Sequence, residues 1–202
     1  MHSHMLHLLC LTSALLSYPL AAQEVDVSAK VQVCFACHGP EGASTQANYP
    51  ILAGQQEYYL YVQMKDFQAG RRENAEMAPM LANLTRDEMK AIAKYFAGQS
   101  WPRLEVTTDP EHMKAGRTAA AAGQCPQCHL GGYNGNSRVP RLAGLHPEYL
   151  AKTMLDFKAK RRNNSPAKSS LMESFSEEDI LAMAQYIGSL TVYERSQGAE
   201  IE

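Results

Sequence analysis

The chain has 202 residues, 45% of them hydrophobic and 20% charged, with a formal net charge of −2. That balance excludes a disordered chain and a strongly basic nucleic-acid binder. The length suits one large domain or two small ones.

The first element is an apolar run from Met5 to Ala22 that ends in small residues. It has the core and cleavage region of a secretory signal peptide, with cleavage near Ala22. Its leading segment carries His2, His4 and His7 where Lys or Arg is usual. The run is short for a membrane span, and no later segment is long and apolar enough for one. Export places the chain in an oxidising compartment, where paired cysteines usually become disulfides. Of five cysteines, Cys10 leaves with the signal, and Cys34, Cys37, Cys125 and Cys128 remain.

Beyond the signal the chain contains itself twice. CFACHGPEG from Cys34 matches CPQCHLGG from Cys125 at an offset of 91, and PILAG from Pro50 matches PRLAG from Pro140 at 90. In the same register Asp66, Phe67, Arg71 and Arg72 pair with Asp156, Phe157, Arg161 and Arg162. The offset returns to 91 where LTRDEMKAIAKYF from Leu84 matches FSEEDILAMAQYI from Phe175. A period near 90 residues is too long for a solenoid unit and fits tandem small domains.

Each half reads as helices and loops. Leu60, Met64 and Phe67 fall on one helical face, as do Leu150, Met154 and Phe157. Met89, Ile92, Ala93 and Phe96 form a second stripe, repeated by Ile180, Met183, Ala184 and Ile187. Thr85 with Glu88 is a capping box, and Ser176 with Asp179 is its looser form. Asp109-Pro110 opens another helix. Nothing alternates as a strand does. TTDPE around Asp109, after WPRLEV, reads as the linker between the halves. The expectation is an all-α chain: signal 1–22, first domain 23–103, second domain 104–202. Halves this small bury little core and need a staple.

C-x-x-C-H, occurring twice, supplies one. A pair of thiols and an imidazole at this spacing let a helix present thioether bonds and an axial nitrogen to one haem. Zinc or a disulfide would leave the histidine after each pair unexplained. His112 and His146 have no partner at the matching repeat position and read as surface or core histidines. The basic run Lys158, Lys160, Arg161, Arg162, with its counterpart Arg71-Arg72, reads as a solvated helix end suited to the helix dipole. A contact to haem propionates or a partner is the alternative. Trp101 belongs to the domain interface or to an ordinary core.

With these motifs, each followed by P-x-L-A-G and a Tyr-containing helix, the chain resembles the dihaem cytochrome c4 family from about Val27 to Leu190. The resemblance implies tandem class I cytochrome c folds and a periplasmic electron carrier with covalently bound haem c in each half. It implies thioether bonds at Cys34, Cys37, Cys125 and Cys128, and proximal iron ligands at His38 and His129. Pro50 and Pro140 would accept the imidazole hydrogen bond through their carbonyls. In the family the distal ligand is a Met from the loop before each domain's last helix. In the first half that is Met77, with Met80 as competitor.

The second half departs from the pattern. At an offset of 91, Met77 corresponds to Lys168, and Met172 corresponds to Leu81. Lys168 through its neutral amine, Met172 after a slip of the segment, or no residue at all could fill the position. Lys168 is the first expectation and Met172 the alternative.

The resemblance implies redox-protein partners: a donor dehydrogenase, and an oxidase or another cytochrome as acceptor. Nucleic acid is not expected, and membranes are expected only through partners. A dihaem thiosulfate dehydrogenase would need a cysteine thiolate at its active haem, and the mature chain has none to spare. The role of electron acceptor to such an enzyme stays open. The alternative function is a peroxidase-like dihaem enzyme with an open second haem.

Overall fold

The computed structural model describes residues 25–191. The signal segment and Cys10 lie outside them. Among the described residues there are helices, turns and isolated bridges, with no named strand.

The first half runs α1 (Ser28–His38), a 3₁₀ turn at Pro40–Gly42, α2 (Glu57–Gln68), α3 (Met77–Leu81) and α4 (Arg86–Ala97). The second runs α5 (Pro110–Ala122), α6 (Cys125–His129), α7 (Pro147–Lys158), α8 (Pro166–Glu173) and α9 (Glu177–Gly188). Residues 101–109 carry no regular structure, so the irregular stretch begins before the expected linker, whose last two residues, Pro110 and Glu111, already open α5.

The helix ends follow the sequence. Thr85 Oγ1 accepts from the Glu88 backbone while Glu88 Oε2 accepts from the Thr85 N–H, so both orphan donors of α4 are satisfied. Ser176 and Asp179 do the same for α9, making a complete box where a looser form was expected. Asp109 Oδ1 caps α5 through the N–H groups of Glu111 and His112.

The periodic stripes are the cores. Met64, Phe67, Ile92 and Phe96 are buried between α2 and α4, with Val31 of α1 against them. In the second half Leu150, Ile180, Met183 and Ile187 join α7 to α9. Helices α5 and α9 cross unusually closely at Gly116: a Cβ there would lie 2.0 Å from the Ala182 carbonyl oxygen.

The halves pack directly on each other. Ile51 and Ala53 of the first half belong to the second half's apolar cluster, and Trp101 packs against it under the Arg141 guanidinium, 4.9 Å from the ring centroid. Trp101 is thus an interface residue. His112 is exposed beside Asp109, whereas His146 is buried and donates from Nε2 to the Ser44 carbonyl across the interface at 2.9 Å.

The basic run corrects its sequence reading. Arg71 and Arg161 are exposed and pair with Asp66 and Asp156 at 2.8 Å each. Lys158 Nζ donates to the Phe175 carbonyl, and Lys160 pairs with Glu173. Arg162 is buried and Arg72 half-buried, so neither is a freely solvated helix end. Their backbones face each other as an antiparallel bridge, and Arg162 is only 7% exposed. A residue and its repeat counterpart meet on the pseudo-two-fold axis, a geometry that helical periodicity cannot encode.

Candidate functional site

Cys34, Cys37 and His38 form the last turn of α1, which Gly39 stops at φ 74°. In the second half the chain kinks first. Gln124, at φ 52°, separates α5 from α6, and α6 consists of the motif alone. All four cysteines are unbonded, so no disulfide links them. The described residues contain no group of three or more His, Cys, Asp or Glu placed to hold a metal ion.

Each motif histidine is fixed from behind. His38 Nδ1 donates to the Pro50 carbonyl at 2.8 Å, and His129 Nδ1 donates to the Pro140 carbonyl at 2.9 Å. Such a bond sets the ring's orientation and leaves Nε2 with a lone pair. His38 Nε2 is buried and has no hydrogen-bond partner. Burial pushes both imidazoles below the ordinary histidine value, against the opposing pull of the proline carbonyls. Both rings are therefore neutral near pH 7, the form that donates to a metal.

Both motifs line one continuous cavity of about 1320 Å³. That exceeds the roughly 300–1,000 Å³ of an ordinary ligand site. A neutral imidazole aimed into an apolar cavity, beside a pair of unbonded thiols, suits a covalently attached metalloporphyrin, and the residues present fit haem c.

Met77, Met80, Lys168 and Met172 all line this cavity. The distal segments are helical rather than looped. Met77 is the first residue of α3, held there because Asn74 Oδ1 accepts from the Glu76 and Met77 N–H groups at 2.9 and 2.8 Å. Met77 is half-buried against the first core, whereas Met80 is 51% exposed. Lys168 sits in α8 with its Nζ over the Phe157 ring at 5.7 Å. Burial pushes its amine below the ordinary lysine value, and Arg162 adds to the shift. His129 and Lys168 both line the cavity, and the lysine's charge adds to the lowering that burial imposes on the imidazole. Met172 and its register partner Leu81 are both 6% exposed, as two inward-packing residues should be.

Residues 28–100 match the family model described as cytochrome c. Cytochrome c4 of Azotobacter vinelandii is 36% identical over 182 residues, covering 80% of this chain and 86% of that protein. The crystal structure of reduced recombinant cytochrome c4 from Pseudomonas stutzeri superposes with a TM-score of 0.74 at 33% identity, covering 82% of this chain and 99% of that one. A thiosulfate dehydrogenase electron acceptor of Stutzerimonas stutzeri is 28% identical over 184 residues, covering 81% and 82%.

Proposed function

This chain belongs to the cytochrome c4 family, a line of dihaem electron carriers, and from that premise we propose how its own residues serve the transfer. It is an electron carrier rather than an enzyme, with haem c covalently bound in each half. Haem iron supplies the one-electron step; the protein supplies attachment, axial donors and a rigid, largely dry surround.

The observation that carries the reading is the repeated histidine geometry, an imidazole anchored at Nδ1 by a proline carbonyl, with the buried Nε2 of His38 left without a partner. His38 and His129 are the proximal donors, and Cys34, Cys37, Cys125 and Cys128 hold the vinyl carbons. Met77 is the distal donor of the first half. What supports it over Met80 is its half-buried position and the Asn74 cap that fixes its backbone.

Lys168 is the distal donor of the second half. Its support is the repeat register, a half-buried amine shifted toward its neutral form, and its electrostatic influence on His129. Met172 has the weaker support, since it occupies the inward position that Leu81 holds in the first half. An amine is a harder donor than a thioether, so Lys168 favours Fe(III) and gives the second haem the lower potential. Electrons then rest on the first haem, and the pair is directional.

The halves divide at the linker, as 23–103 and 104–202. The carrier works in the periplasm after loss of the leader. Its donor is a dehydrogenase, and the likeness to a thiosulfate dehydrogenase electron acceptor favours that enzyme class. Its acceptor is an oxidase or another cytochrome. Stopped-flow mixing of the reduced protein with candidate oxidases, and of the oxidised protein with thiosulfate dehydrogenase and thiosulfate, tests the assignment. Reduction no faster than without the dehydrogenase removes that donor.

A further inference from the structure

The segment that joins His129 to Pro140 in the second half is gripped by the start of α2 in the first. Gln56 Nε2 donates to the Asn134 carbonyl at 3.0 Å, and the Tyr59 N–H donates to the Ser137 carbonyl at 3.1 Å. Arg138 lies over the Tyr58 ring, 5.4 Å from its centroid. Gln55 reaches the peptide of the proline itself. Its Oε1 accepts from the Arg141 N–H at 2.8 Å.

That N–H belongs to the peptide unit whose carbonyl is that of Pro140. The same carbonyl accepts from His129 Nδ1 at 2.9 Å. Imidazole, peptide and glutamine therefore form one hydrogen-bonded chain. An acceptor at a peptide N–H draws electron density toward the peptide oxygen, and each such link strengthens its neighbour by roughly 10–30%. A stronger acceptor at Nδ1–H makes the imidazole the more basic ligand. Gln55 is 3% exposed and engaged at both ends of its amide. Nε2 donates to the Arg141 carbonyl at 2.9 Å, and Oε1 also accepts from the Gln56 N–H at 2.9 Å. The oxygen is thereby tied to the start of α2 and acts through the peptide it holds.

The first half lacks this device. At the offset of 90 that aligns Pro50 with Pro140, Arg141 falls on Ile51 and Gln55 falls on Leu145. A leucine side chain offers no acceptor to the Pro50–Ile51 peptide. His146, the counterpart of Gln56, bonds the Ser44 carbonyl.

We infer that Gln55 is a positioning residue for the second haem: acting from the first half through the Pro140–Arg141 peptide, it raises the donor strength of His129 and lowers the potential of that haem alone. A stronger axial donor favours Fe(III). The inference rests on the reading of His129 as the proximal ligand, and it holds whichever residue is distal.

The test is a potentiometric titration of the haem-loaded full chain, with spectra that separate the two haems. Gln55→Leu removes the acceptor, so the second potential rises and the first stays. Gln55→Glu keeps an oxygen acceptor at the same reach, so the second potential stays or falls. Gln56→Leu breaks a neighbouring cross-boundary bond without touching the Pro140–Arg141 peptide, and moves neither potential. Proton magnetic resonance of the reduced state gives a second readout. The Nδ1–H resonance of His129 moves upfield in Gln55→Leu alone, and that of His38 stays in every variant. A rise shared by both haems, an equal rise in Gln55→Glu or Gln56→Leu, or an unmoved His129 resonance overturns the inference. If Gln55→Leu does not retain its haems, the parent carries the test. Redox-difference infrared spectra of the parent, isotope-labelled at glutamine Cδ, show a glutamine carbonyl band moving when the second haem changes state. The absence of any such band overturns the inference. A parent whose second half holds no haem would remove the family-based reading, and the inference with it.

Discussion

Gln55 and Arg141 exchange two hydrogen bonds across the domain boundary. Gln55 Nε2 donates to the Arg141 carbonyl at 2.9 Å, and Gln55 Oε1 accepts from the Arg141 N–H at 2.8 Å. A side-chain amide thus does for the second half what a neighbouring strand would do. Gln55 is 3% exposed, so water does not replace it readily. Gln55→Leu leaves a backbone donor and acceptor unmatched, at about 1–3 kcal/mol per group. Amide exchange at Arg141 is expected to quicken, and denaturant unfolding to shift to lower concentration. Unchanged exchange at Arg141 would show that the pair contributes nothing to the interface.

Gly116→Ala would ordinarily favour a helix, by up to about 1 kcal/mol. Here the added methyl meets the Ala182 carbonyl oxygen at 2.0 Å and the Tyr186 Cβ at 2.8 Å, so α5 must move away from α9. A net destabilisation of at least roughly 1–3 kcal/mol is expected, as for overpacked cores. Denaturant titration read at the second haem's absorption measures it. A gain in stability would mean that the helices separate without cost.

For the first haem, Met77→Ala is expected to abolish the weak near-infrared band of Met–Fe(III) ligation, while Met80→Ala leaves it in place. The opposite pairing would transfer the ligand role to Met80.

The second haem should be the pH-sensitive one. A lysine ligates only as the neutral amine, so protons compete with iron. Burial holds the Lys168 amine below the ordinary lysine value, which extends ligation toward lower pH than a solvated lysine allows. The sign is therefore loss of the low-spin ferric spectrum as pH falls, with the first haem flat over the same range. Lys168→Ala removes that dependence and raises the second potential. If Met172→Ala alters spectrum and potential while Lys168→Ala alters neither, the lysine assignment is wrong.

Denaturing mass spectrometry of the matured protein is expected to show two haem additions and no titratable thiol. Thiols that still react after full maturation would remove covalent attachment at the corresponding pair among Cys34, Cys37, Cys125 and Cys128.

What could be read before the fold was known follows a physical division. Thr85 with Glu88, the Ile92–Phe96 stripe and the CxxCH pairs are local patterns, and local patterns are written in consecutive residues. The cross-axis contacts are not. Arg72 looked like a solvated helix end because its own neighbours are charged and polar; its burial comes from a surface some 90 residues away in the chain. His146 lacked a repeat partner, so symmetry gave no hint of its bond to Ser44. A clue was present in the exact repetition of Asp66-Phe67 with Arg71-Arg72 at Asp156-Phe157 with Arg161-Arg162, since a merely solvated segment has little physical reason to repeat so fully.

The close crossing of α5 and α9 orders events during biosynthesis. The second half is clasped by the first and last of its described helices, and Gly116 meets a segment that is made almost at the end of the chain. Contacts of such long range form late. Cys125 and Cys128 precede α9 in the chain, so they lie outside the segment whose arrival completes the α5–α9 contact. Separation of α5 from α9 would leave both motif cysteines in place while opening the core that Cys125 borders.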